Sequence, residues 1–519
     1  GYRSLYANTT GVSNSAFGLY ALRNNTIGTH NAAFGRAALQ SNLTGLNNSA
    51  FGNYALLNNN GGSRNSAFGR EALYSNSTSD NSAFGYRALF ANTIGTDNTA
   101  VGRSALQTNT TGSYNTAVGR TALYSNTIGT NNTAVGVNSM YYNTTGASNT
   151  AVGRSALQNN TIGDRNCAFG LYALANNTTG GVNSSFGYKA LFANTIGFQN
   201  VAIGRSALEA NTTGSNNVAV GSNSLQLNTI GANNVAVGYL SLFTNTTGNK
   251  NTAVGGNSLY SNTIGSKNAA FGYGALYYNT TGVNNSAFGY KALHINTIGT
   301  SNSAFGGYAL FKNTTGVNNT AVGLNALQQN TIGVRNSSFG VNALFANTTG
   351  SDNSAFGNFS LRYNTIGTNN TAFGSYTLFS NSTGVANTAV GRSALQSNTI
   401  GTSNSAFGHY ALLSNTTGVN NTAVGRSALQ ENTYGIKNTA FGSYSLKTNT
   451  VGQANSAFGY YALKANTIGN FNIAIGRSAL IANTTGSYNT AVGVNALYNN
   501  TTGAQNSAFG LSALEGNTI

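Results

Sequence analysis

A single spacing constrains this chain more than any other feature: asparagine returns every seventeen residues. Full units start at Asn14, Asn31, Asn48 and Asn65, and then from Asn81 to Asn506 without a slip. The unit Asn149–Arg165, NTAVGRSALQNNTIGDR, stands for all of them. Its pattern is N-[S/T]-A-[V/F/I]-G-x-x-[A/S]-[L/M]-x-x-N-[T/S]-[T/I]-G-x-x, and positions one to seventeen below count from its first Asn. A fixed period of this kind overrides the several globular domains that 519 residues would otherwise imply. One unit is too short to bury its own apolar side chains, so neighbours must stack on one another.

The period selects strands over helices. Each typical unit carries two Gly, several Asn and β-branched Thr, all poor in helix interiors. The chain has no Pro, as expected where nearly every N–H is needed in a ladder. The pattern therefore predicts an all-β fold: a parallel β-solenoid (β-roll or β-helix) of about thirty 17-residue repeats, forming one continuous array over 1–519. The residue before the second Gly alternates between Ile and Thr, as in Thr145, Ile162, Thr179 and Ile196, which makes a 34-residue super-repeat. One 17-mer per coil is preferred over two, because seventeen residues suits a short solenoid coil. At about 4.8 Å per coil, such an array would be a rod on the order of 140 Å long.

Within the representative unit, Gly153 and Gly163 are expected at corners, where a residue without a side chain can turn the chain. Val152, Leu157 and Ile162 are the expected core triplet. Asn149 and Asn160 are expected to ladder along the axis as stacked amides do in cross-β assemblies. Arg154, Ser155, Gln158, Asn159, Asp164 and Arg165 are expected to face solvent. The unit starting at Asn65 is one residue short and lacks its second Gly, so an irregular coil is expected near 58–81. The chain begins and ends inside a unit, which predicts a longer array or further terminal domains.

The variable positions after the first Gly carry Arg and Tyr: Arg154, Tyr172, Tyr188, Arg205, Tyr239 and Tyr460. These are the candidate contact surface, since both residue types favour interfaces and exposed rings in such number are otherwise a liability. Net charge is +16, but it is spread thinly, with no basic run. That reads as solubility plus loose attraction to anionic surfaces, and not as nucleic-acid binding. No apolar run approaches a membrane span.

Catalytic or metal chemistry finds little to work with. His30, His294 and His409 occupy unrelated positions without metal-ligand spacing. Glu71, Asp97, Asp164, Glu209, Asp352 and Glu431 are scattered rather than paired. No phosphate loop is present, because no G-K-[S/T] occurs. Cys167 has no second cysteine to join and reads as a small residue in a ladder. The sequons, such as Asn8-Thr9-Thr10, follow from the repeat itself and say little about glycosylation. No catalytic residue, cofactor or metal site is expected.

The N-T-A-V-G-x-x-A-L-x-x-N-T-x-G segments, as in Asn115–Gly129 and Asn421–Gly435, resemble the repeat arrays of bacterial and phage tail-fibre-like proteins. More distantly they are similar to the head repeats of trimeric autotransporter adhesins, where a related A-[V/I]-G-x-x-[S/A] motif builds a trimerising β-roll. The present unit is longer and carries an added N-T-[T/I]-G segment. The resemblance implies an extracellular, cell-surface or virion fibre: an adhesive shaft or filament. Its partners would be further copies of itself, as a homotrimer or end-to-end polymer, and a cell-surface glycan or anionic surface. The alternative is an ice- or glycan-binding solenoid module using its Thr rows. A fibre-borne glycan hydrolase would need paired carboxylates, which the sequence does not offer.

Overall fold

The computed structural model describes residues 1–519 and is all-β. It contains two compact units, Gly1–Ile264 and Gly265–Ile519. The first holds fifteen strands, from β1 (Ser15–Phe17) to β15 (Thr252–Val254). The second holds another fifteen, from β16 (Ala269–Phe271) to β30 (Ser507–Phe509). Every strand is three residues long and, within each unit, lies parallel to its neighbour. In the representative unit the strand is Thr150–Val152, which pairs with Cys167–Phe169 in the register Thr150↔Cys167, Ala151↔Ala168, Val152↔Phe169. One 17-residue repeat is therefore one coil of a β-solenoid.

Hydrogen bonding continues round the coil well beyond the strand. Leu157 N–H donates to Ala173 O at 2.9 Å, Asn159 N–H to Ala175 O at 2.9 Å and Thr161 N–H to Thr178 O at 3.0 Å. Ser155 and Arg165 donate the other way, to Val137 O at 2.9 Å and Ala147 O at 3.0 Å. A coil this tight needs sharp corners, and non-glycine residues make most of them. Ser155, Leu157 and Arg165 all lie in the left-handed region, with φ of 56°, 52° and 56°. Each costs roughly 1–2 kcal/mol of backbone strain. Each also donates its N–H to a neighbouring coil, which offsets that strain only while the neighbours are in place.

The two glycines do different jobs. Gly153 has φ of +136°, and a Cβ there would stand 2.5 Å from Gly170 O. Gly163 corrects the expectation of a second turning glycine, because its φ is not positive. It is needed for close approach: a Cβ would collide with Gly180 O and come within 2.5 Å of Asn160 Oδ1.

The core also departs from the expected triplet. Ala151, Ala156 and Leu157 are fully buried, whereas Val152 is only half-buried and Ile162 is 52% exposed. The reason is geometric. A three-residue strand has one inward side chain, and its neighbours must point out. Ala151 takes the inward place, so Val152 cannot. The lumen then has room for two Ala columns and one Leu column, each buried Leu contributing about 1.5–3 kcal/mol before entropy. Position three is Ala in all units but two, Ser185 and Ser338, and position nine is Leu in all but one, Met140. Position four varies among Val, Ile and Phe, a range of volume that a close-packed interior would not accommodate.

Two asparagine columns line the rest of the interior. Asn160 Nδ2 donates to Asn143 Oδ1 at 2.7 Å and to Gly163 O at 2.9 Å. Asn160 Oδ1 accepts from Asn177 Nδ2 at 2.8 Å. Asn149 Nδ2 donates to Asn132 Oδ1 at 3.2 Å and to Gly163 O at 2.9 Å, and its own N–H also reaches Asn132 Oδ1 at 3.0 Å. Both side chains are fully buried. A buried amide is tolerated because its donors and its oxygen are engaged, and the identical residue one coil away supplies the partner. Each Gly163-type carbonyl accepts from both columns, so the ladders are cross-linked within every coil.

Candidate functional site

With the interior given over to stacking, any recognition must come from the outward columns. The first runs along position four, on the outer face of the strands. Phe34, Phe51, Phe68 and Phe84 stack there with ring centroids 4.8, 4.7 and 5.0 Å apart. In the second unit Phe339, Phe356 and Phe373 do the same at 4.7 and 4.5 Å. Val152 belongs to this column. Ile162 belongs to another, at position fourteen, where exposed Ile recurs at Ile128, Ile196 and Ile230.

The candidate contact residues fall on one edge of the coil, at positions six and seven. In the first unit Arg154, Tyr188, Arg205 and Tyr239 are exposed at position six, and Tyr172 is half-buried at position seven. Tyr172 meets Phe192 edge-on at 6.2 Å, and the Lys189 ammonium lies 5.6 Å from the Tyr188 ring and 3.5 Å from Glu209. In the second unit Tyr460 packs against Tyr461 with centroids 3.9 Å apart. The hydroxyl of Tyr461, and then burial, hold the Tyr460 phenol above its ordinary range. Ser155 corrects the expectation of a solvated residue: its position-seven side chain is only 4% exposed.

The threonine row is spoken for. Thr161 Oγ1 donates to Thr178 O at 3.1 Å, and Thr178 Oγ1 to Thr195 O at 3.1 Å. The hydroxyl protons of this row are aimed along the stack.

Several titratable groups are also engaged locally. Arg64 forks onto Asp80 at 2.6 and 2.7 Å, and Arg335 onto Asp352 at 2.6 and 2.9 Å, each pair joining adjacent coils. The facing guanidinium holds each of these carboxyls below its usual range. Glu71 sits between Arg87 and Arg70 at 2.6 and 3.0 Å, and the Arg87 hydrogen bond does most to lower its pKa. His294 contacts Gly274 O at 2.7 Å through Nδ1 and stacks on Phe311 at 5.3 Å, and burial pushes its pKa down. No three His, Cys, Asp or Glu residues are grouped as metal ligands. No helix is long and apolar enough to cross a membrane. These inter-coil ion pairs and stacked rings were not anticipated from sequence; the signal was there, in complementary residues spaced one repeat apart.

Fold and surface together define a β-solenoid repeat protein. In comparisons with known proteins, no family model matches the chain and no curated protein matches it.

Proposed function

We propose that this chain is the shaft of an elongated extracellular or virion fibre, with a structural and adhesive role rather than a catalytic one. The observation that carries the reading is the double asparagine ladder, Asn149 to Asn132 and Asn160 to Asn143, repeated through each unit. Polar side chains that another protein would turn outward to a ligand are here turned inward to join one coil to the next. At about 4.8 Å per coil, fifteen stacked strands extend roughly 65–70 Å within a unit. Extension with a constant cross-section is what a shaft requires. The resemblance of the repeats to tail-fibre-like arrays supports a reading of placement outside the cell or on a virion. The half-exposed Phe and Val column at position four is a long apolar stripe, suited to lateral association with further copies in a homotrimer or filament.

The test is direct. Negative-stain images and small-angle scattering of the purified protein should show elongated particles of uniform width, in oligomers. Compact, globular, monomeric particles would overturn the proposal. Hydrolysis of a polysaccharide by the purified chain would overturn its non-catalytic part.

A further inference from the structure

One stretch of the first unit departs from the smooth outline of the coil. Between the ridge at position six and the ridge at position ten lies an open groove of about 430 Å³. It runs over the four coils that contain Ser82–Phe84, Thr99–Val101, Thr116–Val118 and Thr133–Val135. The groove exists because its floor is built of short side chains, Ser104, Thr121 and Asn138, in three successive coils. Its two walls are chemically different. One carries Tyr86, Arg103 and Arg120, the other carries Gln107, Tyr124 and Tyr141, and Arg87, at position seven, closes one end of the floor.

The basic wall is unbalanced. Arg87 is held by Glu71 at 2.6 Å, but Arg103 and Arg120 have no carboxylate partner, and no acidic residue occurs between Asp97 and Asp164. These two guanidiniums stem from equivalent positions of adjacent coils, so the backbone sets them about 4.8 Å apart along the axis. Two rings of the tyrosine wall pack face to face. Tyr124 and Tyr141 stack on each other at 5.0 Å and 3° between planes, and Tyr142 closes on Tyr141 edge-on at 4.6 Å. Stacking takes one face of each ring, and the phenol hydroxyls are the hydrogen-bonding groups these two side chains offer a ligand. Nucleic-acid bases need open ring faces to stack upon. A chain of sugars needs hydroxyl partners on one side and, if acidic, forked cations on the other.

We propose that this groove binds an acidic polysaccharide, its carboxylate or sulfate groups on Arg103 and Arg120 and its hydroxyls on Tyr124 and Tyr141. A pyranose ring advances by about the rise of one coil, so successive sugars would meet successive coils in register. This goes beyond a structural shaft and holds whether or not the chain serves as one.

The experiment is calorimetric titration of the full chain with four probes: polygalacturonate, heparin, neutral dextran and single-stranded poly(dT). Binding of polygalacturonate, heparin or both is expected, with dextran inert; the pair separates carboxylate from sulfate preference. Arg103→Gln with Arg120→Gln should weaken that binding about ten-fold or more, as loss of charged hydrogen bonds implies. Arg392→Gln with Arg426→Gln removes the same charge from the second unit and should leave affinity within about two-fold. Tyr124→Phe with Tyr141→Phe keeps the stacked rings, removes both hydroxyls, and should weaken binding several-fold. All of these positions are on the surface, and unchanged circular dichroism would show that folding is intact. Equal losses in the two arginine variants would reduce the effect to diffuse charge and overturn the assignment, as would insensitivity to the tyrosine variant. Failure of both acidic polymers to bind, or tighter groove-dependent binding of poly(dT), would overturn it too.

Discussion

The coil Asn149–Arg165 and the coil Asn65–Asp80 do the same work with different numbers of residues. The second is one residue short, yet its strand Ser66–Phe68 pairs with Ser82–Phe84 in the same side-chain register as every other pair. The deletion is absorbed at the corner. In the regular coil Asn160 reaches the carbonyl of Gly163, three residues on, whereas in the short coil Asn76 reaches the carbonyl of Thr78, two residues on, at 2.7 Å. Asn65 also donates to Thr78 O at 2.7 Å, and Thr78 Oγ1 donates to Gly95 O at 2.7 Å. The irregularity expected near 58–81 is therefore a local substitution of one acceptor carbonyl for another. Strand register is strongly specified because a one-residue slip would turn Ala67 out and Phe68 in. A corner has no such penalty, provided its carbonyl still meets both asparagines.

The sharpest way to break the comparison is to attack what the two coils share. Gly153→Val places a branched side chain at φ +136° against the carbonyl of Gly170. It should cost about 4 kcal/mol or more and open the coil to limited proteolysis. Asn160→Ala comes next. It leaves Asn143 Oδ1 and Asn177 Nδ2 without their partner in a dry interior, and should lower stability by about 2–4 kcal/mol in urea denaturation. Asn76→Ala in the short coil should cost less, about 1–2 kcal/mol. There Asn59 Oδ1 has a second donor in Asn65 Nδ2 at 3.5 Å, and Asn92 Nδ2 keeps Gly95 O at 2.8 Å. Equal costs would show that the short coil has no such slack.

Smaller effects sharpen the picture. Ser139 and Ser224 replace the core Ala of position eight and find carbonyls, Ala151 O at 3.0 Å and Gly221 O at 2.9 Å. Ser360 occupies the same position but its hydroxyl is buried without a partner. Ser360→Ala should therefore raise stability by about 1 kcal/mol, measured by the same denaturation. The short coil also takes part in the Arg64–Asp80 fork. The Asp80 pKa is depressed in the folded state, so its stabilisation is complete above the ordinary carboxylate pKa of about 4 and fades as pH falls through the folded value. A thermal melt series should show Asp80→Asn differing from the parent at pH 7 and converging on it in acid. Asp164→Ser should be the mildest change, within about 0.5 kcal/mol. Asp164 Oδ1 accepts from Ala147 N–H at 2.6 Å, and at the equivalent position Ser63 Oγ accepts from Leu46 N–H at 3.0 Å.

Much of this was legible beforehand. The period, the parallel stack, the asparagine ladders and the need for glycine at position five all follow from residues that repeat, because a stacked array can use an identical residue one coil away as its partner. The candidate surface edge was legible too, since Arg154, Tyr188 and Arg205 vary where the ladder residues do not. The core was misassigned for a definite reason. Hydrophobicity favoured Val152 and Ile162 over Ala151, whereas constancy of volume from unit to unit favoured Ala151, and packing follows volume.

Sequence alone therefore determined the axis: what repeats, how often, and which polar groups join coil to coil. Only the tertiary structure decided the cross-section. A 17-residue loop closed by three left-handed residues leaves a lumen fit for Ala, Leu and paired Asn, and anything bulkier or more variable is forced outside. That closure depends on hydrogen bonds from Ser155, Leu157 and Arg165 to neighbouring coils. A single repeat, read by itself, contains none of those partners.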